Sequence, residues 1–77
     1  MDIDDVFDMI NKADENDRIE IYVSSKPTVI YKTKDEFEVD RLSGLLIVYS
    51  NNGKETTVIK NEYIRFIKIL QSGHDDL

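Results

Sequence analysis

Four residues near the C-terminal end, Lys60, Asn61, Tyr63 and Arg65, bring together the side-chain types that recognise a nucleotide. Lysine and arginine supply positive charge for phosphate, an asparagine amide matches the hydrogen-bonding edge of a base, and tyrosine offers a stacking face. The plainer alternative for the same residues is a polar strand end with Tyr63 half-buried. A second group, Asp4, Asp5 and Asp8, crowds the other end of the chain. Carboxylates so placed suit docking to a basic protein or mimicry of a phosphate backbone. Their plainer alternative is the solvated face of an amphipathic helix.

Catalytic chemistry finds little to work with. The single histidine, His74, stands in the last seven residues, and Ser24, Ser25 and Ser50 have no base to activate them, so a non-enzymatic protein is expected. Asp4 and Asp8 are one helical turn apart, but no Asp-x-Asp-x-Asp-Gly loop accompanies them, and no metal or cofactor is expected. With no cysteine there is neither a disulfide framework nor a thiolate metal site, which suits a reducing, cytoplasmic setting. No apolar run reaches the ~18 residues of a membrane span, and the N-terminus lacks the layout of a signal peptide.

The 77 residues hold one domain, expected over residues 1–70 with an acidic, disordered tail over 71–77. The net charge of −6 is unevenly distributed: residues 1–17 carry −6, residues 18–70 carry +2 and the tail carries −2. The acidity opposes nucleic acid wrapped around the whole surface, while the weakly basic body can still hold a small anion locally.

Several elements must position these residues. Ile3, Val6, Phe7 and Ile10 mark one face of a helix over about residues 2–13, with Asp2 as N-cap. Arg18 to Ser24 alternates as a strand until Pro27 breaks the run. Val29, Tyr31, Thr33, Phe37 and Val39 share odd positions, which suggests one long bent strand; a hairpin turning at 34–36 is the rival. Asp40 to Gly44 reads as a turn. Leu45 to Tyr49 is apolar without alternation, so it is expected to be buried on both faces or covered by another subunit. Asn52-Gly53 marks a hairpin, with Glu55 to Lys60 returning and positive φ at both turn residues. Residues 63–70 fit a strand entered through a one-turn connection at Lys60-Asn61-Glu62, or a helix capped by Asn61 and stopped by Gly73.

This order of a short helix and five strands, the second long and bent, the third and fourth joined by a tight turn, resembles the Sm-like barrel, most closely its bacterial Hfq form. The likeness covers about residues 2–70. Ile21-Tyr22-Val23 stands where Hfq-like first strands carry a similar pair, and Leu45–Tyr49 where they carry a solid apolar third strand. Val58-Ile59-Lys60-Asn61, followed by Ile64, is similar to the Val-Tyr-Lys-His segment that closes their RNA-binding pore. Asn61 replaces the histidine, Ser43-Gly44 replace a Gln-Phe pair, and no glycine marks the bend.

The resemblance implies a mainly β fold, a five-stranded bent antiparallel Sm-like (SH3-like) barrel with an N-terminal helix; the alternative is an α+β fold with a C-terminal helix. It also implies a homo-oligomeric ring, in which the fourth strand of one copy pairs the fifth of the next. Lys60, Asn61, Tyr63 and Arg65 then gather near the ring axis, where the ligand is a small or cyclic nucleotide or a short RNA end. Small acidic proteins of this kind look like those encoded by phages, which implies sequestration of a host defence signal. The rival role is an inhibitor or adaptor that docks a basic host protein through Asp4, Asp5 and Asp8.

Overall fold

Helix α1 spans Ile3–Lys12 and is followed by strands β1 Arg18–Tyr22, β2 Pro27–Tyr31, β3 Glu36–Asp40, β4 Leu45–Ser50 and β5 Glu55–Lys60. A single 3₁₀ turn over Asn61–Tyr63 then leads to β6, Phe66–Leu70. These elements come from a computed structural model that describes residues 1–71. His74, Asp75, Asp76 and the expected tail beyond Gln71 lie outside the described residues.

The helix forms as its spacing dictates. Ile3, Val6 and Ile10 are buried, and the Asp2 side chain accepts from the Asp4 N–H at 3.3 Å. Phe7 meets Phe37 of β3 with ring centroids 5.8 Å apart. At the other end Lys32 Nζ donates to the carbonyls of Asn11 (3.0 Å) and Ala13 (2.5 Å), placing a cation where helix carbonyls lack partners. No helix among the described residues is long and apolar enough to cross a membrane.

The strands form two antiparallel three-stranded sheets, ordered β2-β1-β6 and β3-β4-β5. In the first, Ile19 pairs with Ile30 and Ile69, and Ile21 with Thr28 and Ile67, so one face is aliphatic. In the second, Leu46 lies between Val39 and Ile59, and Val48 between Phe37 and Thr57. Both inner faces, α1 and Ile64 close on one core, with ten buried aliphatic residues among the described ones. Glu20 is buried on the opposite face of the first sheet, where both carboxylate oxygens are used: Arg18 Nη2 lies 2.9 Å from Oε2, and the Tyr22 hydroxyl donates to Oε1 at 2.9 Å.

The sheets correct the expected barrel in three ways. First, the described residues form six strands, because the long bent strand is interrupted. The N–H groups of Lys34 and Asp35 both donate to the Tyr31 carbonyl, and the Asp35 carboxylate accepts from the Tyr31 N–H at 2.9 Å. A side chain closes this turn, so it needs no glycine. The turn joins β2 to β3 without pairing them and passes the chain from one sheet to the other. Second, the shared odd phase fails: Ile30 is the buried residue of β2, whereas Phe37 and Val39 pack on the core from β3. Third, the barrel is not closed, since β5 and β6 each pair on one side only. The five residues between them cross from one sheet to the other, with Ile64 buried and the Arg65 N–H donating to the Tyr22 carbonyl at 2.7 Å.

The C-terminal helix alternative is also overturned. Phe66–Leu70 is a strand, held by its ladder to β1, which sets Ile67 and Ile69 opposite Ile21 and Ile19. Of the two expectations for Leu45–Tyr49, burial on both faces is not met: Leu46 and Val48 are buried, and Leu45, Ile47 and Tyr49 on the other face are half-covered.

The β4–β5 hairpin has positive φ at Asn52 (60°) and Gly53 (81°), as expected, and also at Asn51 (56°). The Gly53 N–H donates to the Ser50 carbonyl and the Lys54 N–H to the Asn51 carbonyl, both at 3.1 Å, making two overlapping turns. Gly53→Val should destabilise the protein by about 1–2 kcal/mol, because a β-branched residue resists this conformation. The space beside Gly53 is open, so the loss measured in urea titration reports backbone strain alone.

Candidate nucleotide-binding cleft

The 3₁₀ turn after β5 is fastened on two sides. The Asn61 N–H donates to the Gly44 carbonyl at 2.8 Å, and the Asn61 side-chain amide donates to the Met1 carbonyl. Ile64 then plugs the core. Between these anchors Lys60 and Tyr63 are left to solvent, Tyr63 with 58% of its surface exposed. The ammonium of Lys60 lies 3.7 Å from the Glu62 carboxylate, an exposed pair that a bound anion can replace at small cost.

Lys60 and Tyr63 line one open cleft of about 290 Å³. Its opposite wall comes from the β1–β2 connection and the start of β2, which contribute Ser24, Lys26 and Thr28, while Val58 and Ile59 form an apolar flank. Packing of one sheet edge near the other therefore brings two lysines, two hydroxyls and an exposed aromatic ring to one place. The chemistry available is charge-assisted hydrogen bonding to an anion beside a stacking surface.

Of the four residues expected to act together, the structure brings Lys60 and Tyr63 to this cleft. Asn61 turns to the N-terminal residue and holds the helix start beside the turn. Arg65 is exposed but outside the cleft lining. Lys26 was not anticipated, because it sits far from Lys60 in sequence and next to a proline that reads only as a strand break. Of the acidic set, Asp4 is engaged within the chain: its Oδ1 lies 2.6 Å from Arg41 Nε, and the Arg41 guanidinium also covers the Phe7 ring at 5.6 Å. Asp5 and Asp8 are exposed on the outer side of α1.

Two tyrosines have displaced acidities. The bond that Tyr22 donates to Glu20, with burial and the Glu20 charge, raises its pKa above the usual value near 10, and Arg18 opposes the shift. Tyr49 is raised in the same way by its hydrogen bond to Glu38, assisted by burial and by the charges of Glu38 and Glu36. Both act as neutral donors that fix carboxylates on the outer faces of the sheets, apart from the cleft. No protein-family model matches the chain, and no curated protein or solved structure matches it.

Proposed function

We propose that the protein is a non-enzymatic, Sm-like binding protein that assembles into a ring and captures a nucleotide-type ligand at the Lys26–Lys60–Tyr63 cleft. The observation that carries this reading is the meeting of two lysines and an exposed tyrosine on one cleft. A phosphate there finds charge-assisted donors, each worth ~1.5–3 kcal/mol when desolvated. The helix start, fastened beside the cleft by Asn61, brings the N-terminal acids to the same end of the molecule. Their repulsion disfavours long duplex and leaves small nucleotides or an RNA end as the better ligands. The role fits cytoplasmic sequestration of a nucleotide.

Calorimetry against mono-, di- and cyclic nucleotides and short RNA oligomers tests this. Binding should weaken as salt rises, and Lys26→Ala and Lys60→Ala should each weaken it about tenfold, or about 1.4 kcal/mol. Arg65→Ala should matter less. No binding across the panel would transfer the role to the α1 face, where Asp5 and Asp8 remain open to a basic protein.

Support for the ring comes from two of the four strand edges left unpaired among the described residues, those of β5 and β6, and the apolar side chains on them, Val58, Phe66, Ile69 and Leu70, all more than a third exposed. Unpaired edges of this kind add strands from another chain. Ile67 is a poor probe of assembly because it packs against the core. Val58→Glu is the better one: light scattering should show a larger assembly for the unmodified chain and a folded monomer for the variant. A monomeric unmodified chain at micromolar concentration would remove the ring and leave the cleft.

A further inference from the structure

A second cleft, of about 620 Å³, is lined by Val29 and Tyr31 of β2, by the turn after β2 and by the β4–β5 hairpin. β2 starts beside Thr28 in the first cleft and ends at Tyr31 in the second; β5 starts at Glu55 in the second and ends at Lys60 in the first. The linings adjoin on β2, where Thr28 faces the first cleft and Val29 the second, but their anchoring residues stand apart: Lys26 and Tyr31 are five residue steps from each other, about 17 Å along an extended chain.

The second cleft has different chemistry. Tyr31 presents an aromatic ring, 39% exposed, with Lys34 Nζ 5.3 Å and Arg18 Cζ 5.9 Å from its centre. Asn51 and Asn52 face it from the hairpin loop, and their side-chain amides have no partner among the described residues. Asp35 and Glu55 also line it, so its single lining cation, Lys34, is outnumbered by carboxylates. An anion is therefore poorly served here. A neutral ring with a hydrogen-bonding edge is well served: it can stack on tyrosine and exchange hydrogen bonds with two free amides.

We propose that Tyr31, Asn51 and Asn52 form a second recognition site for an unpaired nucleobase, so that the ligand is a single-stranded oligonucleotide of about four nucleotides spanning both clefts. The proposal rests on the nucleotide reading of the first cleft. The phosphate is held by Lys26 and Lys60 at one end. The strand then follows β2 and β5, and a later base enters the second cleft, where Lys34 moves from the tyrosine ring to the adjoining phosphate.

Fluorescence anisotropy of the full chain with single-stranded adenylate and uridylate oligomers, from one to six nucleotides, tests the proposal. Affinity should rise at least tenfold from mononucleotide to tetranucleotide. Tyr31→Val keeps a strand-forming residue, and Asn52→Gly keeps the positive φ while removing the amide. Each should abolish most of that rise and leave mononucleotide affinity unchanged, whereas Lys60→Ala should weaken every length. Equal affinity for one and four nucleotides, or a length dependence that survives both substitutions in folded protein, would overturn the second site and leave the first standing. Absence of binding at every length would overturn both.

Discussion

Leu46→Ala is expected to cost about 2–5 kcal/mol, the range for emptying a fully enclosed leucine site. Leu46 is completely buried at the centre of the second sheet, between Val39 on one strand and Ile59 on the other. Nine of the ten core residues are isoleucine or valine, whose stiff, branched side chains have few alternative rotamers with which to refill a cavity. Domains typically have 5–15 kcal/mol of stability, and short chains bury a smaller fraction of their surface than long ones. The substitution should therefore move the urea midpoint sharply downward with little change in slope. Leu42→Ala is the matching control, because Leu42 is fully exposed on the β3–β4 turn and its loss should be close to nil.

Gly44→Ala should be nearly as damaging, at about 2–4 kcal/mol, for two separable reasons. Gly44 has φ +67°, a conformation that costs an alanine ~1–2 kcal/mol. An added methyl would also stand 2.4 Å from the Asn61 side-chain oxygen. Asn61 would have to leave, breaking its bond to the Met1 carbonyl and straining the one its N–H donates to Gly44, each worth ~1 kcal/mol. A double-mutant cycle distinguishes the two causes. Gly44→Ala made on an Asn61→Ala background should show the backbone strain without the clash, so the pair should cost less than the sum of its parts. Full additivity would mean that the asparagine accommodates the methyl without penalty.

What could be read from the sequence follows the range of each interaction. The helix and the hairpin were legible because their signals are local: the spacing of Ile3, Val6 and Ile10 in one, Asn52-Gly53 in the other. β6 was harder, since Tyr63 to Leu70 fits either period and its strand form depends on a ladder with β1, more than forty residues earlier in the chain. The break in the bent strand was missed because Asp35 closes the turn with its side chain, and aspartate in a charged run has no distinctive signature. The odd positions from Val29 to Val39 share one phase in the sequence, but packing does not follow it: Ile30 is the buried residue of β2, while Phe37 and Val39 pack on the core from β3. At the cleft, Lys60 and Tyr63 were legible as residue types. The contribution of Lys26 depends on how two sheets approach, and the engagement of Asn61 depends on where the N-terminus returns. Neither leaves a local mark in the sequence.

The turn between Tyr31 and Asp35 also gives the fold a place where chain length is free to change. In an unbroken strand, one added residue would turn every later side chain to the opposite face. Here β2 takes its register from β1 and β3 takes its register from β4, while residues 32–34 belong to neither ladder. An insertion or deletion of either parity between Thr33 and Lys34 leaves both ladders in frame, its cost confined to the hydrogen bonds that close the turn on Tyr31. The same segment carries Lys34 to the second cleft, so descendants of this chain can alter the reach and composition of that wall without redesigning the core beneath it.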